Sequence, residues 1–142
     1  MTLNLLKLCV GIESIDHLAE VQKQRRKQLR RRSNLHRTRN FPKRAGEIVD
    51  SGGSLYWIIK GIIRVRQPIL RFEETFDEHD KRHCLIVLKP ELIRTELRSF
   101  RAFQGWRYFP GENAPPDAPK RSGPEDEPPP EMAEELRKLG LL

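Results

Sequence analysis

The chain has 142 residues, 37% of them hydrophobic and 33% charged, with a formal net charge of +7. That length supports one domain with a modest core, and the low apolar share means that part of the chain adds nothing to it. The charge is uneven: residues 1–110 carry 23 Lys/Arg against 12 Asp/Glu, and residues 111–142 carry 4 against 8. A body this basic points to a polyanionic partner, RNA or another nucleic acid, or less often an anionic membrane surface. Cys9 and Cys84 stand far apart in apolar runs. This argues against a disulfide framework or a zinc ribbon and fits a reducing cytoplasm. No run approaches ~18 apolar residues, and the N-terminus lacks a basic leader and a cleavage site, so no membrane association is expected.

LNLLKLCVG (3–11) reads as a buried first strand ended by glycine. Ser14 stands where a helix N-cap belongs, with Asp16 in the first turn. Ile15, Leu18 and Val21 share one helical face, after which the stripe fails and only Leu29 interrupts a polar run. From Gln22 to Arg44 there are eleven Lys/Arg and no acid. Such a block repels itself and gains stability when phosphates neutralise it. LHRTRNF (35–41) predicts a second strand ended by Pro42, and KRAGEIVD (43–50) a single helical turn before DSGG.

SLYWIIKGIIRVRQPIL runs as one long bent strand or two, with Gly61 as a bulge or bend. Parity puts Trp57, Ile59, Ile63 and Val65 on the core face and Tyr56, Ile58, Lys60, Ile62, Arg64 and Arg66 on the other. EETFDEHDKRH (73–83) reads as a hairpin tip and CLIVLK (84–89) as the returning strand. ELIRTELR (91–98) reads as a further strand, with helix as the alternative, and the aromatic RAFQGWRYF (101–109) closes the body. Eight prolines in 110–130 predict an extended, mobile linker. Helix boundary signals frame a short amphipathic helix over 131–142, with Met132, Leu136 and Leu139 on one stripe.

LLKLCVG, GGSLYWIIKG, RAFQGWRYF and ELRKLGLL together resemble an uncharacterised family of short bacterial proteins, chiefly alphaproteobacterial, catalogued as a domain of unknown function. The element order, with SIDHL (14–18) and RNF (39–41), is also similar to EVE-type and other PUA-like domains. That second resemblance implies a small β-barrel that binds RNA or reads a modified base in a cleft beside the barrel. LLKLCVG lacks the tryptophan that EVE domains carry in their first strand.

The expected architecture is α+β: a PUA-like mixed β-barrel domain over 1–110 with an N-terminal basic helix, an acidic Pro-rich linker over 111–130, and a C-terminal helix. The expected function is a non-enzymatic nucleic-acid-binding module that reads an unpaired or modified base. Its contacts would be Arg25, Arg26, Arg30, Arg31, Arg32, Arg37, Arg39, Asn40, Lys43 and Arg44 in the arm, with Tyr56, Lys60, Arg64, Arg66 and Arg107 on the sheet. An adaptor that captures a protein through Met132, Leu136 and Leu139 is one alternative, and an enzyme of unknown reaction is another. No catalytic residue, cofactor or metal is expected, and the chain is expected to be a monomer. His79, His83 and Cys84 offer only a faint metal spacing. No nucleophile elbow or phosphate loop is present.

Overall fold

A computed structural model describes residues 2–101 and 103–119. The order is β1 (Leu3–Leu8), α1 (Ile15–Leu29), β2 (Asn34–Thr38), α2 (Ala45–Asp50), β3 (Ser54–Ile59), β4 (Ile62–Phe76), β5 (Arg82–Leu88), β6 (Ile93–Ser99) and β7 (Trp106–Pro110). The expected C-terminal helix and its residues Met132, Leu136 and Leu139 lie outside the described residues.

The seven strands form one mixed sheet in the order β2-β5-β4-β3-β1-β7, with β6 branching from β4. β1 runs parallel to β3, and the other pairs are antiparallel. The fold is thus α+β, as expected, but the sheet does not close into the expected barrel. Its two ends, β2 and β7, do not pair with each other. β4 holds it together: residues 62–68 pair with β3, and residues 69–76 pair with β5. Pro68 sits opposite Ser54, the first residue of β3, so its missing N–H falls where that ladder ends.

Local chemistry sets the elements. The Ser14 hydroxyl accepts the His17 N–H at 3.0 Å and starts α1, which buries Ile15, Leu18 and Gln22. Lys60 and Gly61 both have positive φ, at 51° and 75°, and turn β3 directly into β4. Two positive φ values in a two-residue loop mark the hairpin turn whose twist suits the flanking strands. Gly61 is therefore the turn, not the bulge.

The bulge is Arg64. Trp57 pairs with Val65 and Ile58 with Ile63, so Arg64 is the extra residue. A one-residue insertion moves the following side chains to the other face. Val65 joins Trp57 and Ile59 in the core beneath α1 and α2, whereas Ile63 joins Tyr56 and Ile58 in a second cluster with Leu6 and Phe109. Phe100, Phe103 and Ala114 pack against that second cluster. All six residues of β3 are consequently buried. Tyr56, expected as an exposed contact, is 7% exposed and meets Phe109 edge to face at 5.3 Å.

A polar network runs beside the main core. Gln67 is fully buried and uses its whole amide. It exchanges hydrogen bonds with Gln22 of α1 at 2.9 Å each way, accepts the Trp57 indole N–H at 3.1 Å, and donates to the Lys89 carbonyl at 2.7 Å. Asn34 of β2 donates to Gln22 at 3.1 Å and accepts from Arg26 at 3.0 Å.

Two tests follow from this packing. Gln67→Leu keeps the bulk but breaks four hydrogen bonds to three residues, and should cost about 3 kcal/mol in urea unfolding; a loss below about 1 kcal/mol would show that the network is not needed. A Cβ at Gly53 would lie 2.0 Å from the Leu3 carbonyl oxygen, while one at Gly46 in α2 meets nothing within 4 Å. Gly53→Ala should therefore be strongly destabilising, and Gly46→Ala neutral or stabilising by up to about 1 kcal/mol.

Candidate nucleic-acid interface

The basic stretch 22–44 folds as the second half of α1, the turn after it, β2 and the approach to α2. Arg25, Arg30, Arg31, Arg32, Arg37, Arg39, Asn40 and Lys43 are exposed, and Arg26 is half-buried. Among the described residues, Arg44 alone of the eleven cations forms an ion pair, with Glu47 at 2.7 Å. That pairing holds the Glu47 carboxyl below its ordinary range through hydrogen bonding from the guanidinium.

The sheet cations stand differently. Lys60 pairs with Glu13 at 2.6 Å and Arg66 with Asp117 at 2.7 Å. Arg71 and Arg82 pair with Glu73 and Glu74. Arg64 is 4% exposed and donates through Nε to the Ile59 carbonyl at 3.1 Å. The expected stripe of Tyr56, Arg64 and Arg66 is thus not a free surface, because the bulge turns Arg64 inward and the aromatics of 100–109 cover Tyr56. Arg107 stays exposed and lies over the Phe103 ring at 4.3 Å. Asn40 accepts the Trp106 indole N–H through its backbone carbonyl at 3.0 Å, which ties the end of the arm to β7.

Beside the arm lies a cleft of about 160 Å³ between α1, the end of β1 and the start of β2. Lys7, Arg25 and Arg26 line it, together with Val10, Leu29, His36 and Trp57, and no acid among the described residues does. The apolar residues at its mouth are unusually open: Val10 is 86% exposed and Leu29 57%. Inside, His36 meets the Trp57 ring edge to face at 5.0 Å, and its Nε2 is buried with no hydrogen-bond partner among the described residues. Burial, with the charges of Lys7 and Arg25, pushes the His36 imidazole down to about 4. Burial likewise lowers the Lys7 amine. The sequence offered little sign of this cleft, since Lys7, Val10, Leu29, His36 and Trp57 come from four separate segments. The exposed Leu29 in an otherwise polar helix end was the only local hint.

The cysteines are poor nucleophiles. Burial pushes the Cys9 thiol up to about 12 and the Cys84 thiol up to about 11, the opposite of an activated thiolate. His83 is engaged by Asp77 at 3.0 Å. Among the described residues no three of His, Cys, Asp and Glu are grouped for a metal, and no helix is long and apolar enough to cross a membrane.

A neutral buried His36 makes stability depend on pH. Its folded value, about 4, lies below the ordinary 6.5, so the unfolded chain binds the extra proton between those values. Stability should be full above pH 6.5 and fall as pH drops toward 4, by up to about 3 kcal/mol. His36→Gln should flatten the profile between pH 6.5 and 5, above the range in which carboxylates titrate. Parallel profiles for both proteins would assign the loss to other groups.

No curated protein and no solved structure matches the chain. A family model described as "Protein of unknown function (DUF1489)" matches residues 5–142, and the chain therefore belongs to the DUF1489 family.

Proposed function

We propose that this protein binds single-stranded nucleic acid, with the arm over 22–44 on the phosphates and an unpaired base in the cleft beside it. The observation that carries the reading is electrostatic. Four sheet cations find carboxylates within the chain, while ten of the eleven arm cations make no ion pair among the described residues. An unneutralised block of this kind gains from counterion release when phosphates replace solvent ions.

The helix end adds a second argument. Arg30 caps α1 in the left-handed conformation, at φ 52° and ψ 44°. Glycine suits that position, and a side chain there costs about 1 kcal/mol. Helix-dipole compensation does not require it, because Arg26 and Lys27 already occupy the last turn. A cation held in an unfavourable conformation at the tip of the arm fits a role outside the fold.

The cleft supports the base. Cavities near 150 Å³ take a benzene-sized ring, and Trp57 and His36 line this one while Val10 and Leu29 frame the mouth. His36 lines the cleft with a buried Nε2 that has no partner among the described residues, so a turn of the ring toward the cleft would give a base edge a hydrogen-bonding group. Arg25 and Arg26 belong to both cleft and arm, so a base inside leaves its phosphates beside the basic run.

The experiment compares a single-stranded oligonucleotide with an abasic one of equal length. The intact oligomer should bind more tightly, by roughly tenfold for one stacked base, and both affinities should fall steeply with salt. A flat salt response would sink the arm, and equal affinities would remove the base from the cleft. Arg30→Gly should make the protein more stable by up to about 1 kcal/mol and weaken binding to both oligomers. A loss of stability in that variant would mean that Arg30 serves the helix.

A further inference from the structure

Residues 114–119 lie along the outer edge of β6. The Glu96 N–H donates to the Pro116 carbonyl at 2.8 Å, the Ala118 N–H donates to the Arg94 carbonyl at 2.9 Å, and Thr95 bridges to Asp117. This short extended strap delivers one carboxylate. Both oxygens of Asp117 take hydrogen bonds from Arg66, from Nε at 2.7 Å and from Nη2 at 2.9 Å. Arg66 is oriented independently of the strap, because its Nη1 donates to the Ser54 hydroxyl at 2.9 Å. Ser54 in turn is fixed through its N–H by the Asn4 side-chain oxygen at 2.8 Å.

The guanidinium fork that holds a carboxylate in this way holds a phosphate equally well. The groove around it, lined by Asn4, Ser54, Tyr56 and Arg66, has about 470 Å³ of space, far more than a carboxylate fills. The clasp is also displaceable. Its side chains are 22% and 47% exposed, and ion pairs this open are weak and screened by salt. A phosphate carried on a polyanion already held by the arm would compete at high local concentration.

We propose that Arg66 is a phosphate site occupied in cis by Asp117, so that the strap is a built-in competitor which limits binding until a phosphate displaces it. For a nucleic-acid backbone as the source, this rests on the reading above; a free phosphate ester would offer the same chemistry.

The full chain tests it. Asp117→Asn should bind a single-stranded oligonucleotide several-fold more tightly than the unaltered protein, with a salt slope steeper by about 0.7 for one added phosphate contact. Arg66→Gln alone should weaken binding, because it removes the phosphate contact and leaves Asp117 unneutralised, and adding it to Asp117→Asn should cancel the gain. Ala118→Pro, which removes the N–H bonded to Arg94, should act in the same direction and serves if Asp117→Asn fails to fold. Unchanged or weaker binding by the folded variants would overturn the proposal. If the unaltered protein binds no oligonucleotide at low salt, the nucleic-acid reading fails by itself, and inorganic phosphate decides the clasp. A saturable shift of the Arg66 Nε–H resonance in Asp117→Asn, reached at lower phosphate concentration than in the unaltered protein, would place free phosphate at the site; no shift would end the idea.

Discussion

The Gln67 amide ties the basic helix to the sheet. Few side chains can satisfy two donors and two acceptors in an apolar interior, and here every valence is used: Gln22 on α1, the indole of β3 and the carbonyl after β5. A buried amide left short of any one of these would cost more than the bond itself contributes. The network therefore selects one placement of α1, with Gln22 at the point where its apolar stripe ends. Beyond Gln22 the helix has no core to join, and its remaining turns run on as a cationic arm. The cleft lies in the angle between the clamped half of the helix and the sheet.

The second organising feature is β4, which belongs to two ladders and changes the facing of its residues partway along. The bulge at Arg64 lets one strand supply Ile63 to one hydrophobic cluster and Val65 to the other, although the two stand only two positions apart. A sheet with apolar groups on both faces needs cover on both. The helices cover one, and Phe100, Phe103 and Ala114 cover the other. Once both faces are covered, the sheet has little room for a binding surface, which leaves the cations at its margin.

Much of this was legible in the sequence wherever local chemistry decides. The Ser14 cap, the failure of the apolar stripe after Val21, the strand runs and the acid-free block from Gln22 to Arg44 all read directly, because capping, periodicity and charge act over a few residues. The reading failed where a single insertion has a distant effect. Counting parity through 54–66 carries the alternation unchanged across the Lys60–Gly61 turn, where Ile59 pairs with Ile62 and Ile63 passes to the other face; the bulge at Arg64, which carries no mark that sets it apart from Arg66, then returns Val65 to the core. Tyr56 was misplaced for a different reason: alternation identifies two faces but not whether a later segment returns to cover the second. Closure of the sheet also lay beyond local pattern, since it depends on whether β2 and β7 meet. The segment from Gly111 looked like open linker by composition, yet its first nine residues are pinned by contacts with Thr2, Arg66, Arg94 and Glu96 that only the fold brings near. The cleft was the least legible, being assembled from side chains remote in sequence.

The position of β2 has a consequence for self-association. Among the described residues it is the last strand of the sheet and presents an unpaired edge, the kind of surface on which sheets add to one another. Arg37 and Arg39 are exposed there, with the cations of the α1 end close by in sequence. Two copies approaching edge to edge would bring like charges together, so the repulsion keeps the sheet from growing. Screening that charge with salt lowers the barrier, which ties the colloidal stability of the protein to ionic strength.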